Sequence, residues 1–292
     1  MRILIFLFSA LFVFPLFGQG ISENGEKKNS LIKPIIVNST VGLSSTGSLI
    51  ALRTLWYSKE TQSSFHLFDD SRNWMQMDKL GHAYSSYHLS RGISRAYRWA
   101  GVHPKKSNLL SCAISIGYLS VIEIMDGYSS SWGFSLSDMT FNFLGSGLFL
   151  FQESFFSKQI LQPKFSFHTT PYAEIRPEVL GNNAFESLLK DYNGQTYWIS
   201  FSPGQLGIIN WPKWLMLSFG HSIDGRLKGN SDSYMGYESS RQFLFSLDID
   251  LNHIPVKSKF LKSVFNVLNC IKVPFPSLIY SKGEFNAIPI YF

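Results

Sequence analysis

Three polar pairs lie in otherwise apolar segments, and the members of each pair are one helical turn apart. Residues three or four positions apart lie on the same face of a helix. Burying such groups singly is costly, so we expect the pairs to meet inside a helical bundle. In chain order the pairs are Asp78 and His82, Glu123 and Asp126, and Asp138 and Asn142.

These residue types could hold a metal ion or transfer a proton. One histidine among several carboxylates suits a hard divalent cation, since structural zinc prefers more nitrogen or sulfur. His82 is then a general base or a metal ligand, and the carboxylates are general acids or oxygen ligands. The predicted metal ligands are Asp78, His82, Glu123, Asp126 and Asp138, and the first four are also the predicted catalytic residues.

The same residues permit two other interpretations. In a closed polar network His82 pairs with Asp78, Lys79 neutralises a carboxylate, and Asp126-Gly127 forms only a turn. In the other interpretation the cluster binds a lipid headgroup. Substitution of His82 by Ala separates them, because a network loses stability whereas a metal site loses its ion.

The N-terminus has the form of a secretory signal peptide. Arg2 is followed by an apolar core over residues 3–17, and residues 21–38 are a mostly polar linker. The core is short for a membrane span of about 20 residues and contains Pro15. We therefore expect residues 1–20 to direct export to the periplasm, with an uncleaved membrane anchor as the alternative.

Four helices are predicted in a helical domain over residues 39–160. The last two are apolar on nearly all sides, which indicates burial in a bundle or in lipid. We favour a membrane-associated bundle, with two membrane-spanning helices as the alternative; a cluster of Arg and Lys between the second and third helices supports the latter. The predicted helices cover residues 40–57, 77–100, 107–125 and 137–156.

The C-terminal region, residues 161–292, alternates between apolar and polar residues and is predicted to be rich in β-strands. A late helix over residues 257–271 has an apolar stripe flanked by Lys257, Lys259 and Lys262. That composition is typical of a membrane-interface helix, although an ordinary amphipathic helix covering a core has the same stripe. The fold class is therefore α+β. The predicted strands cover residues 171–177, 195–201, 214–223 and 241–251.

Composition excludes several classes of function. Only 16% of the 292 residues are charged, against about 25% in a typical soluble domain, and 16% are aromatic. Despite a net charge of +6, the Lys and Arg residues match no nucleic-acid-binding pattern. Cys112 and Cys270 lie in separate apolar segments, which favours two buried thiols, with a disulfide as the alternative.

Several longer segments resemble the YfiM-like bacterial family of predicted periplasmic lipoproteins, a domain of unknown function. The similarity runs over about residues 35–292 through MDKLGHAYSSYHLS, EIMDGYSSSWGFSLSDMTFNFLGS, LLKDYNGQTYWISFSP and RQFLFSLDIDL. It implies an envelope location and no established activity; no Cys follows the signal region, which puts lipid anchoring in doubt. The family motif positions fall on Asp78, Lys79, His82, Glu123, Asp126, Gly127, Asp138 and Asn142.

These observations predict an envelope protein that is exported across the inner membrane and stays membrane-associated. We expect a structural role or the binding of a membrane lipid or an envelope protein, and no nucleic acid. The alternative is an enzyme that depends on a divalent metal ion and acts on an envelope lipid or glycan through the His, Asp and Glu cluster.

Overall fold

The computed structural model describes residues 32–55, 57 and 61–292, which form two compact units. The first, here called the helical unit, contains the described residues up to Ser71 together with residues 85–157. The second, the sheet unit, contains residues 72–84 and 158–292. The α+β fold class is confirmed. The predicted signal peptide lies outside the described residues, and so does the linker up to residue 31.

Long helices dominate the helical unit. Three of them confirm the predicted helices to within a few residues at each end. The described part of the first helix runs from Ile32, inside the predicted linker, and so extends further toward the N-terminus than predicted. The helices are α1 (Ile32–Leu55), α2 (Met77–Trp99, in this unit from Ser85), α3 (Pro104–Gly127) and α4 (Leu136–Phe155).

The start of α4 depends on a side-chain cap. The sequence suggests Ser137 as the cap, but the structure uses Ser135, whose Oγ accepts a hydrogen bond of 3.0 Å from the backbone N–H of Asp138. Ser137 lies in the first turn, where its Oγ donates to Asp70 Oδ1 at 2.8 Å. A serine three residues before an exposed backbone N–H can satisfy that donor, which explains why the helix begins earlier than predicted.

One six-stranded antiparallel sheet organises the second unit, with its strands in the order β1-β2-β3-β6-β7-β8. A two-residue hairpin, β4 (Ser233–Tyr234) and β5 (Tyr237–Glu238), stands apart from it. The strands of the large sheet are β1 (Gln162–Phe167), β2 (Gln195–Phe201), β3 (Leu215–Asp224), β6 (Ser240–Ile249), β7 (Phe275–Ser281) and β8 (Glu284–Tyr291).

The strand predicted over residues 171–177 is wrong. This segment forms two single-turn helices, α5 (Tyr172–Ile175) and α6 (Pro177–Leu180). Pro171 and Pro177 bracket only five residues, and each is placed where a helix begins, since proline suits the first helical turn. The two prolines therefore determine the local structure, although apolar and polar residues alternate over this short stretch.

Two further helices complete the sheet unit. The first, α7 (Ala184–Lys190), is capped by Asn183, and the second, α8 (Lys259–Leu268), lies within the predicted range 257–271. No residue of α8 is buried, and Phe260 is 67% exposed. Within the apolar stripe, Phe260, Leu261 and Leu268 are exposed, whereas Val264 and Phe265 are partly buried.

The sheet is strongly curled, so that its two edges approach each other. A parallel bridge joins Phe165 of β1 to Ile271, in the segment that leads into β7. The hydroxyl groups of Thr196 in β2 and Tyr291 in β8 lie 2.8 Å apart. One face of the sheet is thereby enclosed, while the other remains on the outside.

Candidate functional site

Asp78 and His82 lie one turn apart on the part of α2 that belongs to the sheet unit. A carboxylate oxygen of Asp78 and a ring nitrogen of His82 lie within 4.8 Å of each other. His82 is buried and Asp78 is partly exposed. The spacing that the helix imposes therefore brings these two potential ligands together, as expected.

A local network holds the Asp78 carboxylate. The Tyr192 hydroxyl donates a hydrogen bond of 2.6 Å to Asp78 Oδ1, and Lys79 Nζ lies 3.6 Å from Asp78 Oδ2. Burial alone would raise the pKa of Asp78, but the Lys79 ammonium, His82 and the Tyr192 hydrogen bond outweigh it and hold the pKa below its usual value. The carboxyl is therefore ionised at neutral pH and available as an oxygen ligand or an ion-pair partner.

A tight turn immediately before α2 sets the position of Asp78. Trp74, Met75 and Gln76 all have positive φ, at 49°, 49° and 65°. Left-handed backbone costs about 1 kcal/mol or more per non-glycine residue, so the surrounding structure must hold it in place. Arg241 does so by donating to the Met75 carbonyl at 2.8 Å and to Gln76 Oε1, and the Trp74 N–H donates to the Gly229 carbonyl at 2.7 Å.

The sheet approaches α2 closely at Gly81. A Cβ at this position would lie 2.9 Å from the Tyr197 hydroxyl oxygen, which donates a hydrogen bond of 3.0 Å to Gln195. Burial and the charge of Asp78 both raise the pKa of Tyr197 well above its usual value. Glycine in the Asp-Lys-Leu-Gly-His segment therefore lets a neutral tyrosine approach the helix.

The remaining predicted ligands lie in the helical unit. The Glu123 carboxylate is buried and accepts a hydrogen bond of 3.4 Å from the Ser135 N–H, whereas Asp126 accepts one of 2.6 Å from the Tyr57 hydroxyl. Asp138 and Asn142 are both buried on α4. The expected meeting of all three pairs would join residues of both units, and it stays a prediction.

Gly127 serves the packing at the end of α3. The His66 N–H donates to the Gly127 carbonyl at 3.0 Å, and the Ser63 N–H donates to the Tyr128 carbonyl at 2.9 Å. A Cβ at residue 127 would lie 2.4 Å from the Phe65 ring. Only glycine allows the 61–71 segment to lie this close to α3.

Sequence reasoning missed the residues that surround Asp78. Tyr192 precedes β2, Tyr197 is within it, and Arg241 is in β6, all more than 110 positions from Asp78. A lone arginine in an apolar strand is the one signal that pointed toward a buried role. Nothing in the local spacing indicates which helix such residues would contact.

The helical unit buries serine side chains beside its apolar core and also exposes many large apolar side chains. Ser86 Oγ and Ser90 Oγ lie 2.6 Å and 2.9 Å from Ser146 Oγ, and Ser115 Oγ donates to the Ser86 carbonyl at 3.1 Å. All four serines are at most 1% exposed, whereas Leu43 is 75% exposed. Further exposed residues of the same kind are Ile32, Ile35, Ile50, Leu109, Ile124, Phe143, Leu144, Phe151 and Phe155.

Among the described residues, two helices are long and apolar enough to cross a membrane. They are residues Ile32–Thr54 of α1 and all of α3. A buried core helix or a signal sequence would meet the same criteria of length and composition, but only 17% of the α1 segment is buried. Burial in the core therefore does not account for the apolar composition of α1.

Comparison with known proteins gives one match. Residues 66–154 match the model of a family described as predicted periplasmic lipoprotein (DUF2279). The matched segment contains all the motif residues from Asp78 to Asn142, and it is shorter than the resemblance noted above. No curated protein and no solved structure matches the chain.

The match and the apolar N-terminal sequence together locate the protein in the periplasm. It is a protein of the bacterial cell envelope.

Proposed function

We propose that the protein is embedded in an envelope membrane through its helical unit, where it has a structural and lipid-binding role. The observation that carries this proposal is the apolar surface of the unit, where Ile, Leu and Phe side chains remain exposed while four serines are buried beside its apolar core. Soluble proteins most often bury such apolar residues and leave serine at the surface. Lipid acyl chains would cover the exposed apolar side chains.

The energetic argument follows from the number of exposed apolar residues. Each large apolar side chain gains about 1.5–3 kcal/mol when it is removed from water. Leu43 and Ile50 on α1, together with Phe143 and Phe151 on α4, would all make that gain in a bilayer. A monomer in water would instead carry an extensive apolar surface, which promotes aggregation.

The interior of the unit has the composition of membrane helix packing. Helices in lipid associate through small residues and through hydrogen bonds between helices, because lipid itself is apolar. Ser86, Ser90, Ser115 and Ser146 fit both requirements, since they are small and hydrogen-bonded. The Cys112 thiol adds a contact of 3.5 Å to the Ser146 carbonyl.

Cysteine accessibility in native membranes tests the proposal. Leu43→Cys and Ile124→Cys should resist a membrane-impermeant maleimide until detergent is added, whereas Ser130→Cys, at an exposed turn, is the water-facing control. The unmodified chain controls for Cys112 and Cys270, which are both buried free thiols. Rapid labelling of both Leu43→Cys and Ile124→Cys without detergent, together with release of the protein by alkaline carbonate, would contradict the proposal.

A second candidate function is that of a metal-dependent enzyme acting on an envelope lipid or glycan. The separation of Asp78 and His82 favours it, since one divalent ion could bind both atoms at ordinary ligand distances of about 2.0–2.5 Å. Two ligands are too few for a stable site. The sequence offers Glu123, Asp126 and Asp138 as the additional oxygen ligands.

Metal content measured on protein purified without chelator tests this second function. Wild type should carry a near-stoichiometric divalent ion, and His82→Ala and Asp78→Asn should lose it. His88→Ala is the matched control, because His88 is also a buried histidine of α2. If wild type takes up no Mn²⁺, Co²⁺ or Zn²⁺ even on titration, and His82→Ala loses only thermal stability, the closed polar network is the correct interpretation.

A further inference from the structure

The outer face of the sheet is a continuous apolar surface. Strand register places Ile199, Phe219, Phe245 and Leu278 in one row across four strands. A second row continues through Phe243, Tyr280 and Phe285. We call these seven residues the aromatic face; all of them are exposed, with Phe219 and Phe243 each at 53%.

The opposite, enclosed face of the same strands combines a polar row with an apolar row that contains Trp198, Leu244 and Ile279. Ser200, Ser218, Ser246 and Ser277 form a row across β2, β3, β6 and β7, and each is at most 4% exposed. Next to this row lies a fully buried ion pair between Lys164 and Asp248, 2.7 Å apart. A sheet with one face in water carries mostly polar residues on that face, unlike the aromatic face. The polarity indicates that the aromatic face meets an apolar phase.

The helix α8 supplies the complementary charge. Lys257, Lys259 and Lys262 are exposed in and beside α8, and the helix contains no acidic residue. Phe260 and Leu261 remain exposed on it as well. After α8 the chain runs directly to Ile271, which pairs with Phe165 at the edge of β1. A lysine-rich amphipathic helix of this kind binds the interface of an anionic bilayer.

We propose that the aromatic face and α8 form a second membrane-contact surface, and that its partner is a lipid bilayer containing anionic lipid. The proposal concerns the sheet unit alone, so it can fail while the membrane embedding of the helical unit stands, and the reverse also holds. The aromatic side chains enter the apolar part of the bilayer, and the lysines contact phosphate groups of the lipid headgroups.

Site-specific quenching by brominated lipid tests the proposal on the full-length protein reconstituted into vesicles. Single-cysteine variants carry a fluorescent label on the proposed surface, at Phe243→Cys or Phe260→Cys. The label at Glu238→Cys, in the exposed β4–β5 hairpin, is the control. A label at Leu43→Cys reports on the helical unit. Brominated acyl chains should quench the labels at positions 243 and 260 at least about threefold more than the label at 238.

The four labels distinguish the two membrane proposals. Quenching at 43 with none at 243 or 260 overturns the second contact surface and leaves the embedded helical unit intact. Quenching at 243 and 260 with none at 43 overturns the embedding of the helical unit and leaves the second contact surface intact. An unquenched label at 243 that is shielded from aqueous iodide, in a protein of dimeric mass, would show a second copy of the chain on this face and would also overturn the proposal.

Charge reversal tests the lipid class. In vesicles with about 30% phosphatidylglycerol, the triple variant Lys257→Glu, Lys259→Glu and Lys262→Glu should lose about tenfold or more in membrane engagement of the label at 243. The matched control reverses three other exposed lysines of the same unit, Lys213, Lys228 and Lys282. An equal loss of membrane engagement in both triple variants would overturn the proposed role of α8. Membrane engagement that does not depend on phosphatidylglycerol would overturn it as well.

Discussion

The helical unit and the sheet unit both bury polar groups, but they do so with different chemistry. Buried serines between α2, α3 and α4 satisfy one another and backbone carbonyls at 2.6–3.1 Å. The enclosed face of the sheet instead contains the Lys164–Asp248 ion pair. Lys272 lies beside it, with its Nζ 4.8 Å from the centre of the Trp198 ring and donating to the Leu247 carbonyl at 2.8 Å.

The difference follows from how each element satisfies its backbone. A helix satisfies its own backbone, so small hydroxyls are enough to join neighbouring helices. The curled sheet encloses Trp198 together with the side chains of Lys164 and Lys272, and Asp248 forms the ion pair with Lys164. The helical interior should therefore tolerate single losses that the sheet interior does not.

The largest expected effect breaks the buried ion pair. Asp248→Asn leaves the Lys164 charge buried without its counter-ion and should destabilise the sheet unit by about 3–5 kcal/mol. Hydrogen exchange of the β3 and β6 amides measures the loss. The double variant Lys164→Met and Asp248→Leu should recover part of it, because the Lys164 charge is removed as well, while Lys272 keeps its charge nearby. Unchanged exchange in Asp248→Asn would show that the pair contributes little.

The next effect concerns close packing in the helical unit. Gly127→Ala would place a Cβ 2.4 Å from the Phe65 ring and 3.2 Å from the Phe134 Cβ, and should cost about 1–3 kcal/mol. Gly147→Ala on α4 is the matched control, since a Cβ there meets nothing within 4 Å. Thermal unfolding in detergent compares the two. Because alanine favours a helix more than glycine does, Gly147→Ala should be neutral or stabilising, and a loss of the same size at both positions would contradict the contact explanation.

A pH dependence should appear in the stability of the sheet unit. Burial lowers the pKa of Lys272 to about 8; the charge of Asp248 opposes this shift and that of Lys164 adds to it. Between about pH 8 and the ordinary lysine value of 10.5, the unfolded chain binds a proton that the folded chain lacks. Stability should therefore rise across that window, on the order of 1–2 kcal/mol.

Lys272→Met removes the titrating group and serves as the control for this window. Exchange of the β6 and β7 amides, followed from pH 7.5 to 10.5 after correction for intrinsic exchange rates, should show a smaller gain in this variant. A wild-type sheet unit that loses stability as pH rises from 8 to 10 would refute the assignment to Lys272.

The smallest effect probes the serine contacts. Ser146→Ala removes the hydroxyl that lies within hydrogen-bond distance of Ser86 and Ser90, yet Ser86 Oγ still donates to the Asn142 carbonyl. The expected cost is about 0.5 kcal/mol, the average for such contacts in membrane helices. Unfolding in detergent, with Ser120→Ala on the same unit as control, measures it. A loss of stability above about 2 kcal/mol would contradict the expectation that the helical interior tolerates single losses better than the sheet interior.

Helical periodicity was sufficient to predict α2, α3 and α4, since their apolar and polar residues repeat over five or more turns. It also predicted that Asp78 and His82 share a face, because four residues make about one turn. The two short helices near Pro171 were missed, since proline position outweighs composition there. Helical periodicity could not identify Tyr192 and Arg241. Both are far from Asp78 in the sequence and come close to the start of α2 only when the chain folds.

Sequence alone determined the alternation of β6, with Phe243 and Phe245 on one face and Ser246 and Asp248 on the other. The sequence could not determine which face of the strand would be enclosed, because an alternating pattern does not show which side lies in the interior. The tertiary structure decided this when the sheet curled around its polar side, with Phe165 bridged to Ile271 and Asp248 paired with Lys164 from a strand 80 residues away. Local spacing sets which side chains point together, and only long-range closure decides whether they face the interior or the outside.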